Sequence, residues 1–328
     1  MNALKKISKL LSKNTSVFVI AVAIVTFFIP ELFTWVRGTN QTIILGIIMF
    51  GMGLTLTTKD FKILAQRPLD IFIGALAQYT VMPLLAYTVG TLLGLPNEIK
   101  IGLVLVGCCP GGVSSNIMSF LCKGDVPFSV GMTTASTLLS PILTPVLVLF
   151  LAGAQIEVNA IGMFKSIIQS VIIPIVIGFT LNYFFGEKKE FKDIQEVMPG
   201  VSVTGLAFIV GGVISLQGQN FFKSGVLIFI AVLLHNGLGY LLGYGVGVLT
   251  KMSTAKKRTI SIEVGMQNAG LATNLATAHF AATPQAAVAC AVSCVWHSIS
   301  GTILAGLYAK FDEKKNKNQI SDIEVVSE

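Results

Sequence analysis

The chain has little charge. Only 12% of its 328 residues are Asp, Glu, Lys or Arg, about half of the roughly 25% usual in a soluble domain. A water-soluble fold of this size needs charge to cover its surface, so that class is excluded. Cysteines are few and odd in number: Cys108, Cys109, Cys122, Cys290 and Cys294, with no CxxC pair. Neither a disulfide framework nor a zinc site follows; their plain reading is small residues packing between helices, Cys290 and Cys294 on one face. The 32 glycines show no three-residue period, and 53% of the chain is hydrophobic, which excludes collagen-like and disordered chains. The formal charge of +7 does not mark a nucleic-acid binder, because the basic residues sit between long apolar runs rather than on one face. What remains is an all-α polytopic membrane protein.

Ten apolar stretches are long enough to cross about 30 Å of hydrocarbon as helices. They lie at 15–36, 41–58, 68–94, 98–122, 126–152, 161–185, 197–217, 222–249, 256–281 and 284–309. The first follows Lys5, Lys6, Lys9 and Lys13, as a signal peptide would. No small-x-small site comes after it, so it reads as an uncleaved first span. With the N-terminus in the cytoplasm and ten alternating spans, only Arg37, Lys100, Lys165 and Lys223 fall outside, leaving 19 of the 23 basic residues inside. That is a strong positive-inside bias, with both termini cytoplasmic. The polar end, 311–328, reads as a disordered cytoplasmic tail.

The halves resemble each other. Gly107 to Asn116 reads G-x4-G-x3-N, and Gly265 to Asn274 reads the same, 158 residues later. The same shift pairs Gln78 with Asn236, and a nearby one pairs Pro127 with Pro284. A five-span unit used twice explains all of these: 1–155, then 156–310. Five is odd, so the second unit is inverted, which is the sequence pointer to a secondary transporter with its site between the repeats.

Glu263 is the only acidic residue deep within an apolar span. A bare carboxylate there costs several kcal/mol, so it is protonated, paired or bound to a cation. No lysine or arginine lies deep in a span to pair with it. Gly265 and Gly270 bracket Gln267 and Asn268, and Pro110-Gly111-Gly112 interrupts the fourth span. Both stretches predict unwound helix, with carbonyls and amide oxygens freed for a hard cation. Ser114, Ser115 and Asn116 follow the first break, and Ser129, Thr133 and Thr137 share one face of the fifth span. Interhelical hydrogen bonding alone is the plainer reading of such hydroxyls.

These motifs resemble the bile acid:sodium symporter family. The matching stretches are Gly51 to Phe61, Gln78 to Pro83, Cys109 to Asn116, Gly124 to Thr133, Glu263 to Gly270 and Trp296 to Gly301. The resemblance implies ten transmembrane helices in two inverted five-helix repeats, with helices 4 and 9 broken and crossing. It implies a panel unit of spans 1, 2, 6 and 7 and a core unit of spans 3–5 and 8–10. It implies a sodium-coupled symporter of an organic anion, bile acid-like or a small carboxylate such as pantoate, working as a monomer by alternating access in the cell membrane. Carried over by position, one Na+ would bind Ser115, Asn116, Ser129, Thr133 and Glu263. A second would bind Gln78, Glu263, the carbonyls of Val264 and Met266, and Gln267. Asn268 and His297 would face the substrate, whereas His235 reads as structural and His279 carries no assignment. The family usually shows Thr-Ala-Ser-Asn where this chain has Val113-Ser114-Ser115-Asn116, so a substrate contact at Val113 is not carried over. Two alternatives stay open: a proton-coupled carrier in which Glu263 titrates, and an intramembrane enzyme using Ser115 or His297.

Overall fold

Lipid offers no partner to a free N–H or C=O, so a chain this apolar must satisfy its backbone within helices. The computed structural model describes the backbone of residues 1–112 and 114–326, and their side chains except 219–224, 309 and 312–326. Val113 and the side chains of Lys223 and most of the expected tail lie outside the described residues. Along the chain run α1 (Asn2–Lys13), α2 (Thr15–Phe28), α3 (Thr39–Thr55), α4 (Thr58–Gln66), α5 (Pro68–Leu92), α6 (Asn97–Cys108) and α7 (Ser115–Leu121). Then come α8 (Val126–Ala152), α9 (Ala160–Ile167), α10 (Ile173–Phe185), α11 (Lys189–Leu249), α12 (Thr254–Gly265), α13 (Ala269–His279) and α14 (Gln285–Val326). The protein is all-helical: among the described residues, the isolated bridge outside the helices joins Gly111 to Gln267.

Six helical stretches are long and apolar enough to cross a membrane, or eight when two bent pairs each count as one span. The chain is therefore a multi-pass membrane protein. The bends are 85° between α1 and α2 and 76° between α3 and α4. The second has a local cause, since Asp60 accepts the N–H of Thr57 at 2.7 Å and starts a new helix. The expected spans 98–122 and 256–281 are the two cut in mid-course, into α6 and α7 and into α12 and α13. The expected spans 197–217 and 222–249 lie in α11, which runs on through the join between them. Likewise α14 stays helical to Val326, past the point from which a tail was expected.

The central core joins Leu45 and Met49 of α3, Leu103 and Leu105 of α6, and Leu271 and Leu275 of α13. Two basic residues are more buried than their sequence context suggests. Lys100 lays its stem against α5 and sets its ammonium 4.0 Å from the Tyr87 ring centroid, an apolar stem with a charged tip. Arg258, near the start of α12, donates to the Cys122 carbonyl at 2.9 Å and lies over the Tyr308 ring.

Candidate functional site

The two helix breaks meet. Proline at 110 has no N–H to donate, and the glycines after it carry no side chain, so the chain runs non-helical from Cys109 to Gly112. Met266 to Asn268 does the same between α12 and α13. The orphaned groups satisfy one another: Gly112 N–H donates to the Met266 carbonyl at 2.8 Å, and Asn268 N–H to the Pro110 carbonyl at 2.8 Å. A Cβ at Gly112 would lie 2.8 Å from the Gln267 carbonyl oxygen, so this approach of two backbones needs glycine. Four helix ends converge here: the negative C-terminal ends of α6 and α12 and the positive N-terminal ends of α7 and α13.

Glu263 sits one turn before this crossing and is 1% exposed. Its carboxylate accepts from Ser115 Oγ at 2.6 Å, from Thr133 Oγ1 at 2.8 Å and from Ser129 Oγ. Ser129 and Thr133 also approach Asn116 Oδ1, at 2.8 and 3.3 Å. Ser115 further contacts the Gly112 carbonyl at 2.7 Å, and Thr133 the Ser129 carbonyl at 3.1 Å. Each hydroxyl has one proton, so three protons face seven acceptor contacts. Acceptor oxygens in such excess around a buried carboxylate suit a hard cation. Arg258, on the same helix, points away to Cys122. All five residues of the first predicted set are thus brought together. Thr137 is not among the described partners of Glu263.

The second predicted set is also contiguous, but the Gln267 amide oxygen and the Val264 and Met266 carbonyls are already engaged. Gln78 donates to Gln267 Oε1 at 2.5 Å and to the Cys109 carbonyl at 3.3 Å. Gln267 donates to the Val264 carbonyl at 2.7 Å, and the Met266 carbonyl already takes Gly112. Asn236, the repeat partner of Gln78, donates to the Gly265 carbonyl at 2.7 Å. Both amides therefore reach a helix break.

The chain belongs to the sodium bile acid symporter family. The family model, Sodium Bile acid symporter family, matches residues 42–224. A Bacillus subtilis (strain 168) protein, the uncharacterized sodium-dependent transporter YocS, is 46% identical over 96% of this chain and 97% of its own. The probable sodium/metabolite cotransporter BASS1, chloroplastic, of Arabidopsis thaliana is 43% identical over 87% of this chain and 71% of its own. The probable sodium/metabolite cotransporter BASS2, chloroplastic, of Oryza sativa subsp. japonica is 35% identical over 93% and 72%. This is a family of transporters, so the enzyme alternative falls.

In this member, a crevice of about 430 Å3 adjoins the crossing, with Asn116, Gln267, Asn268 and His297 beside an apolar wall that includes Met49 and Leu206. It reaches Ser12, Thr55 and Asp60 at its other end. His297 faces the Gln267 carbonyl at 3.3 Å through Nδ1, and its Nε2 is buried without a hydrogen-bond partner. Asn268 caps α13 by accepting from Leu271 N–H at 3.0 Å. His235 contacts the Met82 carbonyl at 3.0 Å, a packing role. His279 pairs with Ser166 at 2.8 Å, at the end of α13 away from the crossing.

Sequence reasoning missed Ser136. It lies one turn beyond Thr133, and its Oγ accepts from Gly111 N–H at 3.3 Å. The hydroxyl spacing i, i+4, i+7 along Ser129, Thr133 and Ser136 was the available signal.

Proposed function

We propose that the protein is a sodium-coupled symporter that carries a small organic anion by alternating access. The observation that carries this reading is the Glu263 carboxylate, ringed by Ser115, Ser129 and Thr133 with Asn116 behind, at the crossing of two broken helices. Relatives described as sodium-dependent or sodium/metabolite transporters support it.

In this reading one Na+ takes Ser115, Asn116, Ser129, Thr133 and Glu263, and its charge offsets the buried carboxylate. A second takes Gln78, Glu263, Gln267 and the carbonyls of Val264 and Met266. Because Gln78 and Gln267 are bonded to each other, the second ion must part them, which couples its binding to a local rearrangement. Asn268 and His297 meet the substrate, and the N-terminal ends of α7 and α13 favour its anionic group. Ten helices form two inverted repeats, 1–155 and 156–310, arranged as panel and core units. The protein works as a monomer in the cell membrane with both termini cytoplasmic. With Ser12 and Asp60, which line the crevice, on the cytoplasmic side, this reading takes the crevice as the inward-facing route. Two Na+ with one monovalent anion move one net charge, worth roughly 2.3 kcal/mol per 100 mV. Bile acid-like molecules and small hydroxy or keto acids such as pantoate are the candidate cargo.

The test is anion uptake into liposomes holding the purified protein, under a sodium gradient or a pH gradient alone. Uptake driven by sodium and abolished in Glu263→Gln is the expected result. Uptake driven by a pH gradient without sodium would replace sodium with the proton.

A further inference from the structure

A small pocket of about 210 Å3 lies farther along the helices that wall the crevice. On α3, Gln41 lines this pocket, whereas Leu45 and Met49 line the crevice. On α11 the corresponding pair is Val213 and Leu206, and on α13 it is Thr277 and Gly270. At the level between the two cavities, Thr42 Oγ1 donates to Asn274 Oδ1 at 3.1 Å and joins α3 to α13. Pocket and crevice thus share three walls and are divided by one layer of side chains.

The chemistry of the pocket favours negative charge. Arg37 lines it, is exposed and, among the described residues, makes no ion pair. No Asp or Glu is among the described residues that line it. α3 starts beside it at Thr39, after Gly38, without a side-chain cap, so the positive end of that helix lies at the wall. A helix end and one arginine would be ordinary surface features; Gln41 is not. It lines the same pocket, is 1% exposed, and its Nε2 is buried without a hydrogen-bond partner. A buried donor without an acceptor is costly to keep, and a carboxylate oxygen is the acceptor that would also neutralise Arg37. One turn before Thr277 on α13, Asn274 Nδ2 is likewise buried and unpartnered, so a second donor stands at the level between pocket and crevice.

We propose that this pocket binds the carboxylate of a small organic anion, as an outer station ahead of the crossing. The carboxylate meets the Arg37 guanidinium and the Gln41 amide at the start of α3. The pocket is smaller than the roughly 300–1,000 Å3 that hold drug-sized ligands, so it suits a short hydroxy or keto acid and not a steroid-sized anion. Parting Thr42 from Asn274 opens the way to the crossing, with the Asn274 amide as the next donor. The outer placement and the onward route rest on the transport reading above; the anion site does not.

The test is protection of Arg37 from phenylglyoxal, which modifies guanidinium groups, in the purified full-length protein. Peptide mass spectrometry separates Arg37 from Arg67 and Arg258, the other arginines of the chain. The probes are pyruvate and pantoate, with their methyl esters as neutral controls and chloride at the same ionic strength. The expected result is severalfold slower modification of Arg37 with at least one acid and no protection by the esters or chloride. Gln41→Leu raises the acid concentration for half protection by at least about tenfold, the loss of a hydrogen bond to a charged group. Gln41→Met carries the same test if leucine impairs folding. Protection by neither acid, as for a pocket that holds water only, equal protection by the esters or by chloride, or protection unchanged in the Gln41 variants overturns the proposal. Sodium-driven uptake is read separately: its absence with Arg37 still protected removes the transport reading and leaves the anion site standing.

Discussion

A Cβ placed on Gly111 would lie 3.0 Å from Oε2 of Glu263. The helix break therefore does more than free backbone groups. It also keeps clear the space beside Oε2, next to the Ser136 hydroxyl, that a side chain would fill.

Gly111→Ala puts a methyl group into that space. Overpacking costs about 1–3 kcal/mol, and here the group that must yield is the carboxylate itself. The expected result is a rise of about tenfold in the sodium concentration for half-maximal uptake, with the protein still folded. Sodium titration of uptake alongside thermal unfolding measures both; an unchanged sodium dependence would count against a cation at Glu263.

His297→Gln separates cargo from ion. Nε2 of His297 is buried and unpartnered, while its Nδ1 faces the crossing. The substitution is expected to weaken anion uptake severalfold at low substrate and to leave stabilisation by sodium alone unchanged. Loss of both would place His297 in the ion machinery instead.

Gly265→Ala tests the second break. The new methyl group would sit 2.2 Å from the Tyr240 ring, whose hydroxyl is tied to Ser300 at 3.0 Å. A destabilisation of about 1–3 kcal/mol is expected. Tyr240→Leu in the same chain should recover part of it, a coupling that a double-mutant cycle reads directly.

Orientation is open to labelling, because the five native cysteines are all buried and free. Lys6→Cys and Thr55→Cys should react with a membrane-impermeant maleimide only from the cytoplasmic side, and Arg37→Cys only from outside. The reverse pattern would invert the topology.

The parts of this site that were legible in the sequence are those where composition betrays geometry. Proline and glycine in mid-span marked both breaks, and a lone acid among apolar residues marked Glu263, because each is costly unless structure compensates for it. That the two breaks cross was implied by the family resemblance, but the residue pairing across Gly111 and Gln267 was not legible, since spacing along the chain says nothing about which carbonyl an orphaned N–H will find. Charges at helix ends were read as loop residues marking a side. Several turn out to be joints: Arg67 with Asp125 at 2.6 Å, Asp125 N–H with Thr259 at 2.8 Å, and Lys256 with Asp70 at 2.5 Å. The bend after α1 was invisible for a similar reason, because an amphipathic helix and the start of a span share one run of sequence.

The crossing also bears on how the molecule is made. Two of its hydrogen bonds, Gly112 to Met266 and Asn268 to Pro110, join segments synthesised more than 150 residues apart. Until the later segment arrives, the earlier one holds unsatisfied amide groups in hydrocarbon, at a cost of several kcal/mol each. The amino-terminal half is therefore expected to wait, unfinished and open to membrane proteases or chaperones, for the carboxy-terminal half. Two halves produced as separate chains should be stable only when made together.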